Sequence, residues 1–184
     1  LHLSKITPVS SKEVIESWRT KLESLQSYSN IIFTSQASAS YGLEILKTKI
    51  DLKKIQSNIF SIGLATKKII EDKGMSSILP NQPSSEFLGE LILEEYPGRN
   101  LLFCGTNSNR TLQKILKNNI DEIACYDLVY SDFEVASVNQ GPKIVLIYNY
   151  LTFSFIHEAI DRKTLLEKRF IVSSQRIKDK IRRN

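Results

Sequence analysis

The sequence predicts an α/β protein built on a parallel sheet, and three observations carry that expectation. Over residues 30–130, short apolar runs alternate with segments at helical spacing, so the stretch reads β-α-β-α-β-α-β-α-β. The apolar runs are continuous and do not alternate with polar residues, which is the pattern of strands covered on both faces. Each link between runs is long enough for a parallel crossover, and several open on a glycine or a pair of hydroxyl residues.

Taken in order, Leu1 to Val9 is a short apolar piece ending near Pro8, the tail of a strand or a linker. Ser10-Ser11-Lys12-Glu13 reads as a helix start, with a serine N-cap and an acid in the first turn. Val14, Ile15, Trp18, Leu22 and Leu25 give that helix its apolar stripe. Asn30 to Ser35 is a compact strand ending in two hydroxyls, and a helix carrying Tyr41, Leu43, Ile45 and Leu46 follows.

The stretch Asn58 to Gly74 is strand, tight glycine turn and helix in one unit. Ile59, Phe60 and Ile62 form the strand, Gly63 the turn, and Ala65, Ile69 and Ile70 the expected buried side of the helix. Thr66 falls in the first helical turn, where backbone N–H groups gather, and Gly74 stands where a left-handed cap is wanted. Ser77-Ile78-Leu79-Pro80 is a minimal strand stopped by proline.

Pro83 to Glu86 leads into a helix with Phe87, Leu88, Leu91 and Ile92, and Pro97-Gly98 breaks it. Arg99 to Gly105 is another strand running into a glycine turn, with Leu112, Ile115 and Leu116 on the next helix. Glu122 to Val129 is the fifth strand. Ser131 to Pro142 is polar and reads as a linker. Beyond it come a strand at Lys143–Tyr148, a helix through Phe153, Ile156 and Ile160, a strand at Arg169–Ser173 and a basic helix from Gln175. Two strands and two helices cannot close a doubly covered sheet, so this part is expected to pack with further chain before Leu1 or after Asn184.

At 184 residues, 41% hydrophobic and 24% charged, the composition is that of an ordinary globular protein of one domain or two small ones. No apolar run approaches the ~20 residues needed to span a bilayer. Cys104 and Cys125 lie in apolar runs without metal spacing and read as buried reduced thiols, which makes the cytoplasm the expected compartment. The net charge of +5 is unevenly placed: residues 161–184 hold nine Lys/Arg against three acids, a net +6, which leaves −1 for the rest. The basicity is therefore a property of one segment, and it argues against nucleic acid as the general partner.

Open parallel sheets bind ligands at the carboxyl ends of their strands. There the sequence places Thr34 and Ser35, Gly63 and Thr66, Gly105 through Asn109, and Tyr126. These are hydroxyls, amides and glycines with almost no carboxylates, a set suited to holding a polyanion and not to metal or acid-pair chemistry. No phosphate loop, dinucleotide turn or Cys/His metal cluster is present in the sequence.

Five of these segments, in order, resemble the uroporphyrinogen-III synthase family. They are Asn30-Ile-Ile-Phe-Thr-Ser35, Ser61-Ile-Gly-Leu-Ala-Thr66, Ser84-Ser-Glu86 with Leu88, Leu101-Leu-Phe-Cys-Gly105 through Arg110 and Leu112, and Ile123-Ala-Cys-Tyr126. The resemblance covers roughly residues 30–130 and continues weakly into 143–183. It implies two flavodoxin-like, three-layer α/β domains joined by a two-stranded linker, with the active site in the cleft between them. Residues 10–131 would form the central domain, and residues 1–9 with 132–184 a discontinuous one lacking its N-terminal β-α-β.

The family converts the linear tetrapyrrole hydroxymethylbilane into uroporphyrinogen III without a cofactor, inverting the last ring through a spiro intermediate. On this resemblance Tyr126 is the candidate proton donor for the departing hydroxyl, with Tyr130 as its rival. Thr34, Ser35, Gly63, Thr66, Gly105 and Arg110 are candidate substrate-binding residues. The Thr-Ser and Gly-x-Thr patterns of the family's C-terminal half are replaced here by Ile147-Tyr148 and Ser174-Gln175-Arg176. The resemblance further implies a monomeric cytoplasmic lyase with a small-molecule tetrapyrrole as its partner, and neither nucleic acid nor membrane. The other reading of the same turns is a non-catalytic flavodoxin-like module that holds a small anion or a protein partner.

Overall fold

The structure, a computed structural model, describes residues 4–130, 140–141 and 143–183. The expected linker at Ser131–Pro142 therefore lies outside the described residues apart from Gln140 and Gly141. The chain divides into two compact units, Ile6–Leu128 and Leu1–Lys5 with Val129–Asn184.

The larger unit is built on a five-stranded sheet of β1 (Ser4–Pro8), β2 (Asn30–Phe33), β3 (Asn58–Ser61), β4 (Asn100–Gly105) and β5 (Ile120–Tyr130). The strand order is β1-β5-β4-β2-β3, and β2 runs parallel to both β3 and β4, as β4 does to β5. Chain order therefore steps outward from β2 to β3 and then returns across β2 to β4. The crevice at the carboxyl ends of β2 and β4 is the point where the winding reverses.

Residues of β2 and β4 alternate between the two faces, as strand geometry requires. Ile31, Phe33, Leu101 and Phe103 pack with Trp18 and Leu22 of α1 (Lys12–Glu23), Leu43 and Leu46 of α2 (Gln36–Lys47), and Ile70 of α3 (Leu64–Glu71). Ile32, Leu102 and Cys104 pack on the opposite side with Leu88 and Ile92 of α4 (Ser85–Glu95) and Leu112 and Leu116 of α5 (Thr111–Leu116). Both faces are covered, which is why the strands read as unbroken apolar runs.

The strands begin in register on a row of asparagines. Asn30 faces Asn58 on one side and Asn100 on the other. Asn58 Nδ2 donates to Asn30 Oδ1 at 3.1 Å, and Asn30 Nδ2 donates to Asn100 Oδ1 at 2.9 Å. Asn30 Nδ2 also reaches the Tyr96 carbonyl, and Asn100 Nδ2 donates to the carbonyls of Gly98 and Asn119. Asn30 and Asn100 are buried, and their amides are satisfied within the protein.

At the other end of β2, Phe33 and Phe103 stack with centroids 5.1 Å apart. A β-carbon on Gly42 would lie 2.6 Å from the Phe103 ring and 2.8 Å from that of Phe33, so α2 can approach the stack only with glycine there. Ser11, Ser35 and Ser84 accept hydrogen bonds from the first turns of α1, α2 and α4, which places those helix starts where the sequence puts its serines.

Three expectations change. The minimal strand at Ser77–Leu79 amounts to a single bridge between Phe60 and Ile78, since Pro80 ends the pairing before a ladder can grow. The opening segment is a true strand, with Val9 N–H bonded to the Cys125 carbonyl just past its end. In α3 it is Thr66 and Ile70, one turn apart, that turn inward, while Ala65 is exposed.

The smaller unit pairs β6 (Ile144–Ile147) with β7 (Arg169–Val172) in parallel. Val145 and Ile147 pack with Phe153 and Ile156 of α6 (Tyr150–Ala159) and Ile177 of α8 (Gln175–Arg182). A short helix not expected from the sequence, α7 (Arg162–Leu166), is capped by Asp161. On the other face Ile144, Leu146 and Ile171 remain about half exposed. Among the described residues no helix is long and apolar enough to cross a membrane.

Candidate functional site

The carboxyl ends of four strands of the larger unit surround a cavity of about 180 Å³. Thr34 and Ser35 follow β2, Ile62 follows β3, Cys104 belongs to β4 and Tyr126 to β5. Ser85 of α4 and Ser108, Asn109 and Gln113 around the start of α5 complete its polar wall. The cavity sits where the winding of the sheet reverses, the position expected of a ligand site in this class of fold.

Tyr126 lines the cavity from β5. Its hydroxyl lies 3.2 Å from Ser35 Oγ, and its ring stacks on that of Tyr41 with centroids 6.5 Å apart. Ser35 Oγ also accepts from the Ser38 N–H at 3.1 Å, while Ser38 Oγ accepts from the Ser35 N–H at 2.9 Å, a closed capping box. The Ser35 hydroxyl can donate to the phenolic oxygen of Tyr126 or accept from it, and when it donates the phenolic proton is directed elsewhere. Burial pushes the Tyr126 pKa above its ordinary value, and the bond to Ser35 offsets part of that rise. The phenol is therefore held protonated, as a donor.

The ring reaches this position through an irregularity in the sheet. Cys104 pairs with Ala124, but Gly105 pairs with Tyr126, so the register shifts and Cys125 is skipped. Cys125 and Tyr126 consequently pack against the same core cluster although they are adjacent in sequence. Gly105 accommodates the ring directly: a β-carbon there would lie 2.8 Å from two ring carbons and 3.1 Å from the hydroxyl.

The remaining sequence candidates do not line the cavity. Gly63 is the N-cap of α3 and makes no side-chain cap, while the Thr66 N–H donates to its carbonyl at 3.1 Å. A β-carbon on Gly63 would meet nothing within 4 Å, so open space adjoins this turn. Thr66 is buried on the inner side of the same helix. Arg110 is engaged: its Nη1 lies 2.6 and 2.8 Å from the two carboxylate oxygens of Glu122. Burial raises the Glu122 pKa, but the bonds from Arg110 and Gln113 outweigh it and hold the carboxyl below its usual range.

Tyr130, the rival of Tyr126, belongs to the smaller unit. Its hydroxyl is 3.3 Å from Thr152 Oγ1 and its ring 4.7 Å from that of Phe155. Cys104 and Cys125 are free and buried, and burial pushes their thiols up to about 11 and about 12 respectively. They are inert as nucleophiles. Among the described residues no cluster of potential metal ligands occurs.

Sequence reasoning did not single out Ser85, Ser108 or Gln113 as individual site residues. Ser85 was present in the Ser-Ser-Glu helix start, one place beyond the capping Ser84. Gln113 carries no local signal, being one polar position on a short helix.

The family model described as uroporphyrinogen-III synthase HemD matches residues 3–183. Among solved structures, a mutant uroporphyrinogen III synthase of the extremely thermophilic bacterium Thermus thermophilus aligns with TM-score 0.70 at 14% identity, over 98% of this chain and 77% of that one. The corresponding enzyme of Helicobacter pylori aligns with TM-score 0.67 at 18% identity, over 100% of this chain and 81% of that one. At such identities the two structures speak for the fold. No curated protein gives a significant match to the sequence.

Proposed function

The chain belongs to the uroporphyrinogen-III synthase family, and on that premise we propose how its residues divide the work of closing hydroxymethylbilane to uroporphyrinogen III. The observation that carries this reading is the family match over residues 3–183, nearly the whole chain. The reaction belongs to tetrapyrrole biosynthesis and is classed as that of a cyclising lyase.

The substrate must lose a hydroxyl to give an electrophilic azafulvene, and the ring must then close through a spiro centre with the last pyrrole inverted. The first event needs a proton donor beside the leaving group. Tyr126 is proposed for that role, because Ser35 can satisfy its oxygen while burial keeps its proton in place. The second event needs mainly geometry, since direct head-to-tail closure competes with it.

Substrate carboxylates are assigned to Thr34 and to the N–H groups that open α2 and α3, where helix dipoles favour anions; Ser35 serves Tyr126 instead, and Thr66 is turned inward. Gly63 keeps side chains out of the way of these contacts, and Gly105 makes room for the Tyr126 ring. Arg110 would exchange Glu122 for a substrate carboxylate, a trade of one exposed ion pair for another. The division of the chain into Ile6–Leu128 and a second unit supports a central α/β domain and a discontinuous one, with residues 6–9 in the central domain and not, as expected, in the discontinuous one. The protein is proposed to act as a cytoplasmic monomer without a cofactor.

The decisive experiment incubates the protein with freshly prepared hydroxymethylbilane and resolves the product isomers. Isomer III in proportion to protein supports the assignment. Isomer I alone at every protein concentration, the spontaneous product, would sink it. The other reading, a non-catalytic binding module, draws no support from the matches.

A further inference from the structure

We propose that Tyr41 is a positioning residue for the reaction: its ring holds the Tyr126 phenol where the departing hydroxyl can take the proton. The inference rests on the function proposed above and on the role given there to Tyr126. Tyr41 does not line the cavity and acts through Tyr126.

The Tyr126 side chain needs more support than its own strand supplies. It stands beside the register shift of β5, where the ladder to β4 skips Cys125. Gly105 gives the ring backbone to lie on but no side chain to lean against. The hydroxyl is held at its tip by the 3.2 Å contact with Ser35. A ring held at the tip alone is free to pivot about it. Tyr41 supplies the further contact: its ring stacks on that of Tyr126 with centroids 6.5 Å apart and planes inclined by 26°, within the range in which aromatic pairs attract. Both rings are partly buried against the same core cluster.

Helix α2 carries that ring on a rigid element. Ser35, Ser38 and Tyr41 stand at intervals of three, so they follow one edge of the helix from its cap. Ser38 closes the capping box on Ser35, and Gly42, next to Tyr41, lets the helix close on the stacked rings of Phe33 and Phe103. The same helix thus fixes the phenol twice, at the oxygen through Ser35 and at the ring through Tyr41. A group on a packed helix is placed more sharply than one on a loop. The Tyr41 hydroxyl adds little. It donates to the Ile6 carbonyl at 3.4 Å, which is long for an O–H···O bond and exposed to solvent.

Cover matters as well as contact. Burial is what raises the pKa of Tyr126, so a neighbouring ring that keeps water off the phenol helps it retain its proton. Proton transfer is also sensitive to place, since a shift of ~1 Å can cost ~10²-fold in rate.

The test measures kcat, KM, product isomers and thermal melting for wild type, Tyr41→Phe and Tyr41→Leu, each also in a Tyr126→Phe background. Tyr41→Leu should lower kcat about tenfold with KM unchanged, and Tyr41→Phe, which restores the ring, should recover most of that loss. Once the Tyr126 hydroxyl is absent, the effect of Tyr41→Leu should shrink to less than about twofold. An ultraviolet difference titration between each Tyr41 form and its Tyr126→Phe counterpart follows the Tyr126 phenol alone, and Tyr41→Leu should move its ionisation to lower pH. An unchanged kcat in Tyr41→Leu, a loss that persists in full in the Tyr126→Phe background, or an unmoved titration would each overturn the proposal and leave the isomer III activity of the wild type standing. A wild type that makes only isomer I removes the function itself, and the proposal falls with it even if the titration moves. Should Tyr41→Leu not fold, Tyr41→Met is held to the same criteria.

Discussion

The ring of Tyr126 lies over the α-carbon of Gly105, with two ring carbons 2.8 Å from where a β-carbon would stand. Glycine at 105 is thus a seat for the tyrosine. Gly105→Ala should cost ~1–3 kcal/mol through overpacking and lower turnover about tenfold by displacing the phenol. Thermal melts and kcat measure the two effects. In a Tyr126→Ala background the same change should cost less than ~0.5 kcal/mol, since the clash is gone. A full penalty in that background would place the strain elsewhere.

Tyr126→Phe keeps the ring and removes the proton. Turnover should fall by up to ~10²-fold with the melting temperature little changed. The pH dependence carries a second check. Burial raises the folded pKa of this phenol above the ordinary value of 10.0, so the protonated form is favoured in the folded state. Its contribution to stability is present below the unfolded value and is lost as pH rises through the folded one. No loss of rate from this group should therefore appear until the pH passes about 10. A descending limb near pH 8 that vanishes in Tyr126→Phe would contradict the assignment.

Glu122 gives a prediction of opposite sign. Its folded pKa lies below the ordinary value, so its contribution is present above the unfolded pKa and is lost as pH falls through the folded one. The difference in melting temperature between wild type and Glu122→Gln should be largest above about pH 5 and should close at lower pH. An unchanged difference at pH 3 would show that the ion pair with Arg110 carries none of it.

Asn30→Leu tests the buried amide row. The change leaves Asn100 Oδ1 and the Tyr96 carbonyl each short of a partner. Urea unfolding should show a loss of at least ~2 kcal/mol, because orphaned buried polar groups cost ~1–3 kcal/mol each. A variant as stable as wild type would mean that water replaces the amide there.

Much of the larger unit was legible because its signals are local. Continuous apolar strands, serine caps and glycine turns report on their own neighbourhoods, and Thr34, Ser35 and Tyr126 came together as strand-end logic requires. The skipped residue at Cys125 was not legible. A period of two along β5 puts neighbours on opposite faces, and only the ladder with β4 shows that Cys125 and Tyr126 share one. Gln113 was hidden for a related reason: its partner Glu122 is nine residues away on another element. Thr66 shows the limit of spacing arguments, since the register of α3 turned it inward in place of Ala65.

The asparagine row has a further consequence when the strands are counted from it. Thr34, Ile62 and Cys104 each stand four residues beyond Asn30, Asn58 and Asn100, and all three line the cavity. The amides are in effect the zero mark of a ruler, and the cavity wall is its fourth graduation on three strands at once. Deleting one residue within any of these strands would leave the zero mark in place and bring the wrong residue to the wall. Deletions between the row and the wall, at residues 31–33, 59–61 and 101–103, should therefore be rejected. Thermal melts of single-residue deletions at these positions would show it, and a deletion variant as stable as wild type would contradict it.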